Sequence, residues 1–208
     1  MAHVSALDRR AQLVSAAIDL MARDGMAAGS TRAIAAELGV AQAIVHYVFG
    51  TKQELQRAIL TEITGSILGQ VEGTPVPTDD FAGSLNAWAR ALWQTVERQR
   101  DRYALLFEFT ASALRDSQLR SLLAAHDRNI EVLASNLIAG ASARAHAALA
   151  RPAGDLARFF LTGFDGIVVR YLTDGDGGAA RALLQDQVSA TIALAAPAAR
   201  HKRASRSR

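Results

Sequence analysis

The sequence predicts an all-α protein in which a small N-terminal helix-turn-helix unit precedes a larger helical unit. Of the 208 residues, 50% are hydrophobic, alanine is abundant and only four are prolines. Apolar residues recur at intervals of three and four, the period of amphipathic helices, whereas the alternation typical of strands is scarce. We expect two units, residues 1–55 and 56–197, and a basic, disordered tail at 198–208.

The first unit begins with an amphipathic helix over residues 8–23 and continues into a pair of short helices over 30–55, STRAIAAELGVAQAIVHYVFGTKQEL. Ser30 is a suitable N-cap for the first short helix, and Gly39 ends it. Gly50 ends the second short helix, and Thr51 with Glu54 forms a capping box that opens the next. Two short helices joined by a glycine-containing turn are typical of helix-turn-helix proteins, whose second helix enters the DNA major groove.

Residues 8–57 resemble the DNA-binding domain of tetracycline-repressor-like (TetR) transcriptional regulators. The shared features are S-T-R-x-I-A-x-x-x-G-V, a short helix that ends in aromatic-x-Phe, and T-K-x-E-L, in that order. They cover about a quarter of the chain, and the remainder matches the family only in length and helical layout. The resemblance implies a ligand-responsive regulator, most often a repressor, that binds a near-palindromic double-stranded DNA operator as a homodimer and is released by a small molecule.

The exposed side chains of the short helices are the candidates for DNA contact. Gln42 can pair with adenine and Ala43 can touch a thymine methyl, while Arg32 suits phosphate or guanine. Tyr47 and Lys52 are candidate phosphate anchors, and Lys52 lies in a first helical turn. The complete candidate set is Thr31, Arg32, Gln42, Ala43, His46, Tyr47 and Lys52.

Three positions depart from the family pattern. His46 stands where tyrosine is usual, Val48 replaces a histidine or tyrosine, and Ala41 stands where an N-cap residue is usual. The missing cap oxygen costs about 1 kcal/mol, so the sequence predicts a second helix that is less ordered without DNA. These departures keep an alternative open, a helical small-molecule-binding or adaptor protein with a degenerate DNA-binding motif.

Charge is distributed unevenly along the chain. The net charge is +3, but residues 200–208 hold five of the 23 basic residues and no acidic one, which leaves 18 basic against 20 acidic residues elsewhere. Basic and acidic residues also balance within 1–55. DNA binding must therefore depend on where individual cations lie rather than on a broadly basic domain.

The second unit is predicted to contain six helices around a small-molecule cavity. Their ranges are 51–71, 81–100, 103–114, 117–139, 154–173 and 179–195, with a loop at 73–80, a turn at 174–178 and either helix or turn at 142–152. The cavity candidates are Trp88, Phe107, His126, Asn129 and Phe160, because apolar pockets with a few polar groups are the usual form of such sites. The alternative is that these aromatics are packed core and that His126 is a hydrogen-bonded core histidine.

Residues 154–173 carry more apolar surface than one core face needs. With the last helix, this surface predicts a two-fold interface in which two helices from each subunit form a four-helix bundle. Asp165 lies within that apolar helix and needs a partner if it is buried. We expect a structural or interface pairing for Asp165 rather than ligand contact.

Composition and motifs exclude several other classes. The chain has no cysteine, which rules out disulfides and thiolate zinc sites and suits a reducing cytoplasm. No apolar run approaches the roughly 18 residues of a membrane span. The five histidines are scattered and no hydrolase, metalloprotease or phosphate-loop motif occurs. We expect a cytoplasmic protein that is not an enzyme, with no cofactor or metal and an apolar or aromatic ligand.

Overall fold

A computed structural model of the protein describes residues 5–77 and 79–197. These residues form nine α-helices and one 3₁₀ turn and contain no strand, so the all-α prediction is confirmed. The tail expected at 198–208 lies outside the described residues. The helices are α1 (Ala6–Asp24), α2 (Thr31–Glu37), α3 (Gln42–Phe49), α4 (Lys52–Glu72), α5 (Phe81–Arg98), α6 (Arg100–Ala113), α7 (Ser117–Arg144), α8 (Ala153–Asp174) and α9 (Gly177–Ala195), with the 3₁₀ turn at Met26–Ala28.

The N-terminal helices pack around the buried face of α1. Leu13 and Ile18 of α1 are almost fully buried, as are Ile34 of α2 and Val45 of α3. Helix α1 also packs against α4 and α6, so the same apolar core continues from the short helices into the rest of the chain. The N-terminal unit is therefore held firmly against the larger one.

Helix α4 extends from the short helices into the larger unit. Its buried residues recur every four positions, at Leu55, Ile59, Ile63, Ile67 and Val71, as the sequence predicts for one continuous amphipathic helix. It packs against α1, and also against α5 and α7 of the larger unit. Because α4 is one continuous helix, a displacement of one end also moves the other end.

The segment at 142–152, which the sequence left open, is partly helix and partly loop. Helix α7 continues to Arg144, and the chain then turns at His146, whose φ is 49°. The Ala150 backbone N–H donates to the carbonyl of Ala195 at 2.9 Å, which ties the loop to the end of α9. No helix within 5–77 or 79–197 is long and apolar enough to cross a bilayer.

Most of the apolar surface of α8 is buried within the subunit itself. Phe164, Ile167, Val168 and Tyr171 all belong to the core. The surplus that the sequence suggested is therefore smaller than expected, because α8 packs between α7 and α9 and also contacts α6. The apolar side chains of α8 and α9 that stay exposed are Phe159 (39%), Val169 (42%) and Leu183 (48%).

Candidate functional site

Local hydrogen bonds fix the two short helices and the start of α4. Ser30 Oγ accepts from the Ala33 backbone N–H at 3.2 Å, and Thr51 Oγ1 accepts from the Glu54 N–H at 3.1 Å. Gly39 adopts a φ of 67°, a conformation that favours glycine, and the chain reverses there between α2 and α3. The N-caps at 30 and 51 are thus confirmed. The reciprocal half of the predicted capping box is not formed, since the Thr51 N–H donates to the carbonyl of Phe49 at 2.7 Å and the Glu54 carboxylate lies 3.8 Å from Arg57.

Helix α3 begins without a side-chain cap. Ala41 has the extended backbone of an N-cap, with φ −67° and ψ 139°, but offers no oxygen to the first N–H groups of the helix. A serine fits this backbone because it needs no change of φ or ψ. The first turn of α3 therefore lacks a stabilising hydrogen bond that α2 and α4 both have.

Replacing Ala41 with serine is expected to raise the free energy of unfolding by about 1 kcal/mol, because the hydroxyl satisfies one of the free N–H groups. Chemical denaturation of the DNA-free protein measures the change. The matched control is Ala43→Ser, the same substitution inside α3, which is expected to lower stability slightly because serine is a poorer helix former than alanine. Equal effects of the two substitutions would show that capping does not limit α3.

The outer face of α3 is exposed and polar, as the periodicity predicts. Val45 and Phe49 point into the core, whereas Gln42, Ala43 and His46 are exposed. Tyr47 is 88% exposed, which is unusual for a large aromatic side chain and leaves its ring and hydroxyl free for a partner. This face has the position and the residue types of a helix that enters a DNA groove.

Three of the candidate DNA-contacting residues form one polar cluster between α2 and α3. Gln42 Nε2 donates to Thr31 Oγ1 at 3.0 Å and lies 3.4 Å from His46 Nε2. His46 Nε2 also lies 3.5 Å from Thr31 Oγ1. Because these bonds join the two helices on their exposed side, they orient Gln42 and His46 before any DNA is bound. His46, which departs from the family pattern, is thus part of this cluster.

The cations of the N-terminal unit are not equally available. Arg23 bridges Asp24 at 3.0 Å and Glu37 at 3.2 Å, and hydrogen bonding to Glu37 and then to Asp24 raises its pKa above the ordinary value. Arg10 lies over the Phe49 ring at 4.8 Å. Within residues 5–77 and 79–197, the exposed Arg32 and Lys52 form no ion pair, so both charges remain available to phosphate.

An apolar cavity of about 180 Å³ lies in the larger unit, where α4, α5, α6, α7, α8 and α9 meet. Ile67 and Leu68 of α4 form part of its wall, together with aliphatic residues of α5 and α7. Four aromatic residues also line it, Trp88, Tyr103, Phe160 and Phe164. A cavity with these walls suits a compact organic molecule.

The structure distributes the five ligand candidates over different places. Trp88 and Phe160 line the apolar cavity, but His126 and Asn129 line a second, more polar pocket between α4 and α7. His126 Nε2 lies 2.9 Å from Thr64 Oγ1, and burial lowers the pKa of its imidazole. Phe107 packs against the core and lines neither of these pockets.

Several cavity residues were not among the candidates chosen from the sequence. Tyr103 and Phe164 are absent from that set, and Asp165 was expected to pair structurally rather than to contact a ligand. In the structure all three line the cavity. The sequence did contain a signal for Asp165, because a carboxylate within an apolar helical segment needs a partner if it is buried.

Comparisons with known proteins agree with this architecture. Residues 13–59 match the family described as bacterial regulatory proteins, tetR family. The chain is 27% identical over 171 residues to the nicotine-responsive transcriptional repressor HdnoR of Paenarthrobacter nicotinovorans, covering 82% of this chain and 87% of HdnoR. A TetR transcription regulator from Haloarcula marismortui superposes with a TM-score of 0.71 at 21% identity, covering 91% of this chain and 97% of that one. The multidrug binding protein EbrR complexed with imidazole superposes with a TM-score of 0.69 at 23% identity, covering 92% and 93%.

A helix-turn-helix unit joined by one long helix to a helical unit with an apolar cavity is the architecture of a DNA-binding transcriptional regulator. The family match covers the whole motif, from the core of α1 into α4. Residues 13–59 thus match the tetR family of bacterial regulatory proteins, and most of the chain is similar to a transcriptional repressor.

Proposed function

We propose that this protein is a cytoplasmic, homodimeric repressor that binds a near-palindromic operator through α3. It dissociates from the operator when a small molecule enters the apolar cavity. Residues 1–55 act as the DNA-binding domain and residues 56–197 as the ligand-binding and dimerisation domain. Two related proteins support ligand responsiveness, since HdnoR is a nicotine-responsive repressor and EbrR is a multidrug binding protein.

The observation that carries the proposal is the course of α4. Lys52, a candidate phosphate anchor, is its first residue, and Thr64, Ile67 and Val71 in its second half line the cavity. A molecule that occupies the cavity therefore touches the same rigid helix that begins at the DNA surface. Any shift of α4 that the ligand favours changes the position of the DNA-binding domain.

Helix α6 provides a second connection. Tyr103 and Leu106 line the cavity, and Glu108 on the same helix accepts a hydrogen bond from the Met26 backbone N–H at 2.6 Å. Met26 opens the 3₁₀ turn that leads from α1 to α2. Helix α6 thus links the cavity wall to the segment that precedes the DNA-reading helices.

The exposed apolar residues on α8 and α9 support the dimer. Phe159 and Val169 lie on α8 and Leu183 on α9, and these helices pack against each other. A second copy that covers this face in a two-fold arrangement forms a four-helix bundle. Two reading helices then meet successive major grooves about 34–36 Å apart.

Footprinting on the DNA upstream of the protein's own coding sequence tests the proposal. We expect one protected site with two-fold symmetry and two half-sites, and a compound screen on that complex should yield molecules that release it. An asymmetric site protected by a single subunit would contradict the dimeric mechanism. Binding without any preference over random DNA would favour the adaptor alternative.

The same footprint with Val169→Asp examines the dimer directly. We expect a folded monomer by light scattering and operator affinity lowered by about tenfold or more, because each half-site then binds separately. The matched control is Val132→Asp, which places the same charge at an exposed valine of α7. A Val169→Asp protein that remains dimeric would place the interface elsewhere.

A further inference from the structure

We propose that the ligand of the apolar cavity is an organic cation, a compact amine or ammonium with an apolar or aromatic body, and that Asp165 is its counter-ion. The inference deepens the proposed function, because it assigns a chemical class to the molecule that the cavity binds. It also assigns a binding role to a residue that the sequence alone placed in a structural pairing.

The composition of the cavity wall leads to this assignment. Among the side chains that line the cavity, Asp165 is the single charged group, and no lysine, arginine or histidine accompanies it. Thr64, Tyr103, Thr191 and the indole N–H of Trp88 supply the remaining polar groups. Tyr103 is already hydrogen-bonded to Thr95 at 2.7 Å, and Thr191 donates to the carbonyl of Gln187 at 2.7 Å. The wall therefore offers one charged site to a ligand, and that site is negative.

Asp165 has no cationic partner within the described part of the chain. The arginines of its own helix are engaged elsewhere, Arg158 with Glu131 at 2.9 Å and Arg170 with Asp174 at 3.3 Å. Within residues 5–77 and 79–197, the side chain of Asp165 accepts no hydrogen bond and joins no ion pair. A carboxylate beside an apolar wall is left for a partner that comes from outside.

The surroundings of Asp165 make an incoming cation favourable. Asp165 is an exposed residue, but neighbouring groups partly desolvate its carboxyl, and this desolvation, with the charge of Asp127 on α7, raises the pKa of Asp165 to about 6. Burial raises the pKa of the Tyr103 phenol on α6, and the negative charge of Asp165 raises it further. Asp127 itself lies near Glu131 and Arg128. A cation bound here relieves the repulsion between Asp165 and Asp127.

Aromatic rings occupy the same cavity. Phe160 and Phe164 stack with centroids 6.0 Å apart, and Phe164 immediately precedes Asp165 in α8. Trp88 faces the cavity from α5. Aromatic faces attract cations as well as apolar groups, so the wall and the carboxylate select the same kind of molecule. A neutral ligand offers the Asp165 carboxylate no opposite charge, and an anionic ligand meets like charge.

Direct binding to the DNA-free protein tests the assignment. The probes are 2-phenylethylammonium, its neutral analogue 2-phenylethanol and the anion 3-phenylpropanoate, measured by calorimetry at pH 7.5. We expect the ammonium to bind about tenfold more tightly than the alcohol, and the anion to bind most weakly. In Asp165→Asn the preference for the ammonium should disappear. The matched control is Asp186→Asn on α9, which removes the same charge from an exposed residue that lines neither pocket and should keep the preference.

Stability gives a second readout that requires no ligand. Because the folded pKa of Asp165 lies above the ordinary value of 3.8, the folded state holds more protons than the unfolded state between pH 4 and 6. The contribution of this group to stability is thus present at low pH and is lost as the pH rises through about 6. The Asp165→Asn protein should not lose stability in this pH range. It should therefore unfold at a higher temperature than the parent at pH 7.5, and at the same temperature as the parent at pH 4.

The outcomes separate this proposal from the proposed function. If 2-phenylethanol or 3-phenylpropanoate binds as tightly as the ammonium, or if the ammonium does not bind at millimolar concentration, the cation assignment is wrong. The cation assignment is also wrong if Asp165→Asn changes the oligomeric state and leaves the preference for the ammonium intact. If the ammonium binds through Asp165 without releasing the operator, the cation site stands and the ligand-release mechanism fails. If a neutral or anionic compound binds the cavity and releases the operator, the mechanism stands and the cation assignment fails.

Discussion

Replacing Arg32 and Lys52 together with alanine is expected to weaken operator binding by about 100-fold or more at roughly 0.15 M salt. Both cations are exposed and form no ion pair within the described residues, in contrast to Arg23, which is bridged to Asp24 and Glu37. The dimer loses four positive charges at once. The slope of log affinity against log salt should therefore become shallower by up to about four, as measured by fluorescence anisotropy of labelled operator.

The matched control for this variant removes two arginines from the larger unit. Arg90 and Arg151 are exposed and, within the described residues, unpaired, so Arg90→Ala with Arg151→Ala produces the same change of net charge away from the reading helices. We expect its operator affinity and salt slope to stay close to those of the parent. If the Arg32 and Lys52 variant bound the operator as tightly as this control, neither residue would be a DNA contact.

The DNA-binding unit was predictable from sequence because its determinants are local. Ser30 and Thr51 cap the helices that follow them, and Gly39 provides the positive φ of the turn. The side of α3 that faces outward follows directly from helical periodicity, since Val45 and Phe49 fix its buried side. The polar cluster of Thr31, Gln42 and His46 was not predicted, because it joins two helices whose crossing geometry the sequence does not contain.

The cavity was harder to predict because its wall combines six helices. His126 and Asn129 are one turn apart, as the sequence indicates, but their face of α7 is directed toward the N-terminal half of α4 and lines the second pocket. Asp165 shares its helix with buried aromatics, and only the packing of α7 and α6 against α8 shows that it lies at the cavity. Helical periodicity separates buried from exposed positions but does not distinguish packed core from cavity wall.

A larger side chain in the cavity wall can also fill the cavity. Ala134 of α7 lines it and is half-buried, so phenylalanine at this position places its ring in the empty volume of about 180 Å³. Because that volume is already present, the ring fits with less strain than overpacking normally causes, and the larger side chain buries additional apolar surface. We expect Ala134→Phe to fold, to bind the operator as tightly as the parent and to lose its response to ligand.

Titration of operator-bound protein with 2-phenylethylammonium measures this loss of response. The concentration needed for half-release should rise by about tenfold or more in Ala134→Phe, because the ring and the ligand compete for the same space. The matched control is Ala139→Phe, the same substitution at an exposed alanine of α7, which should respond like the parent. If Ala134→Phe were released at the parent's concentrations, the ligand would have to act from outside the apolar cavity. The pocket beside His126 would then be the next candidate, because α4 lines it and its His126 imidazole contacts Thr64 of the same helix.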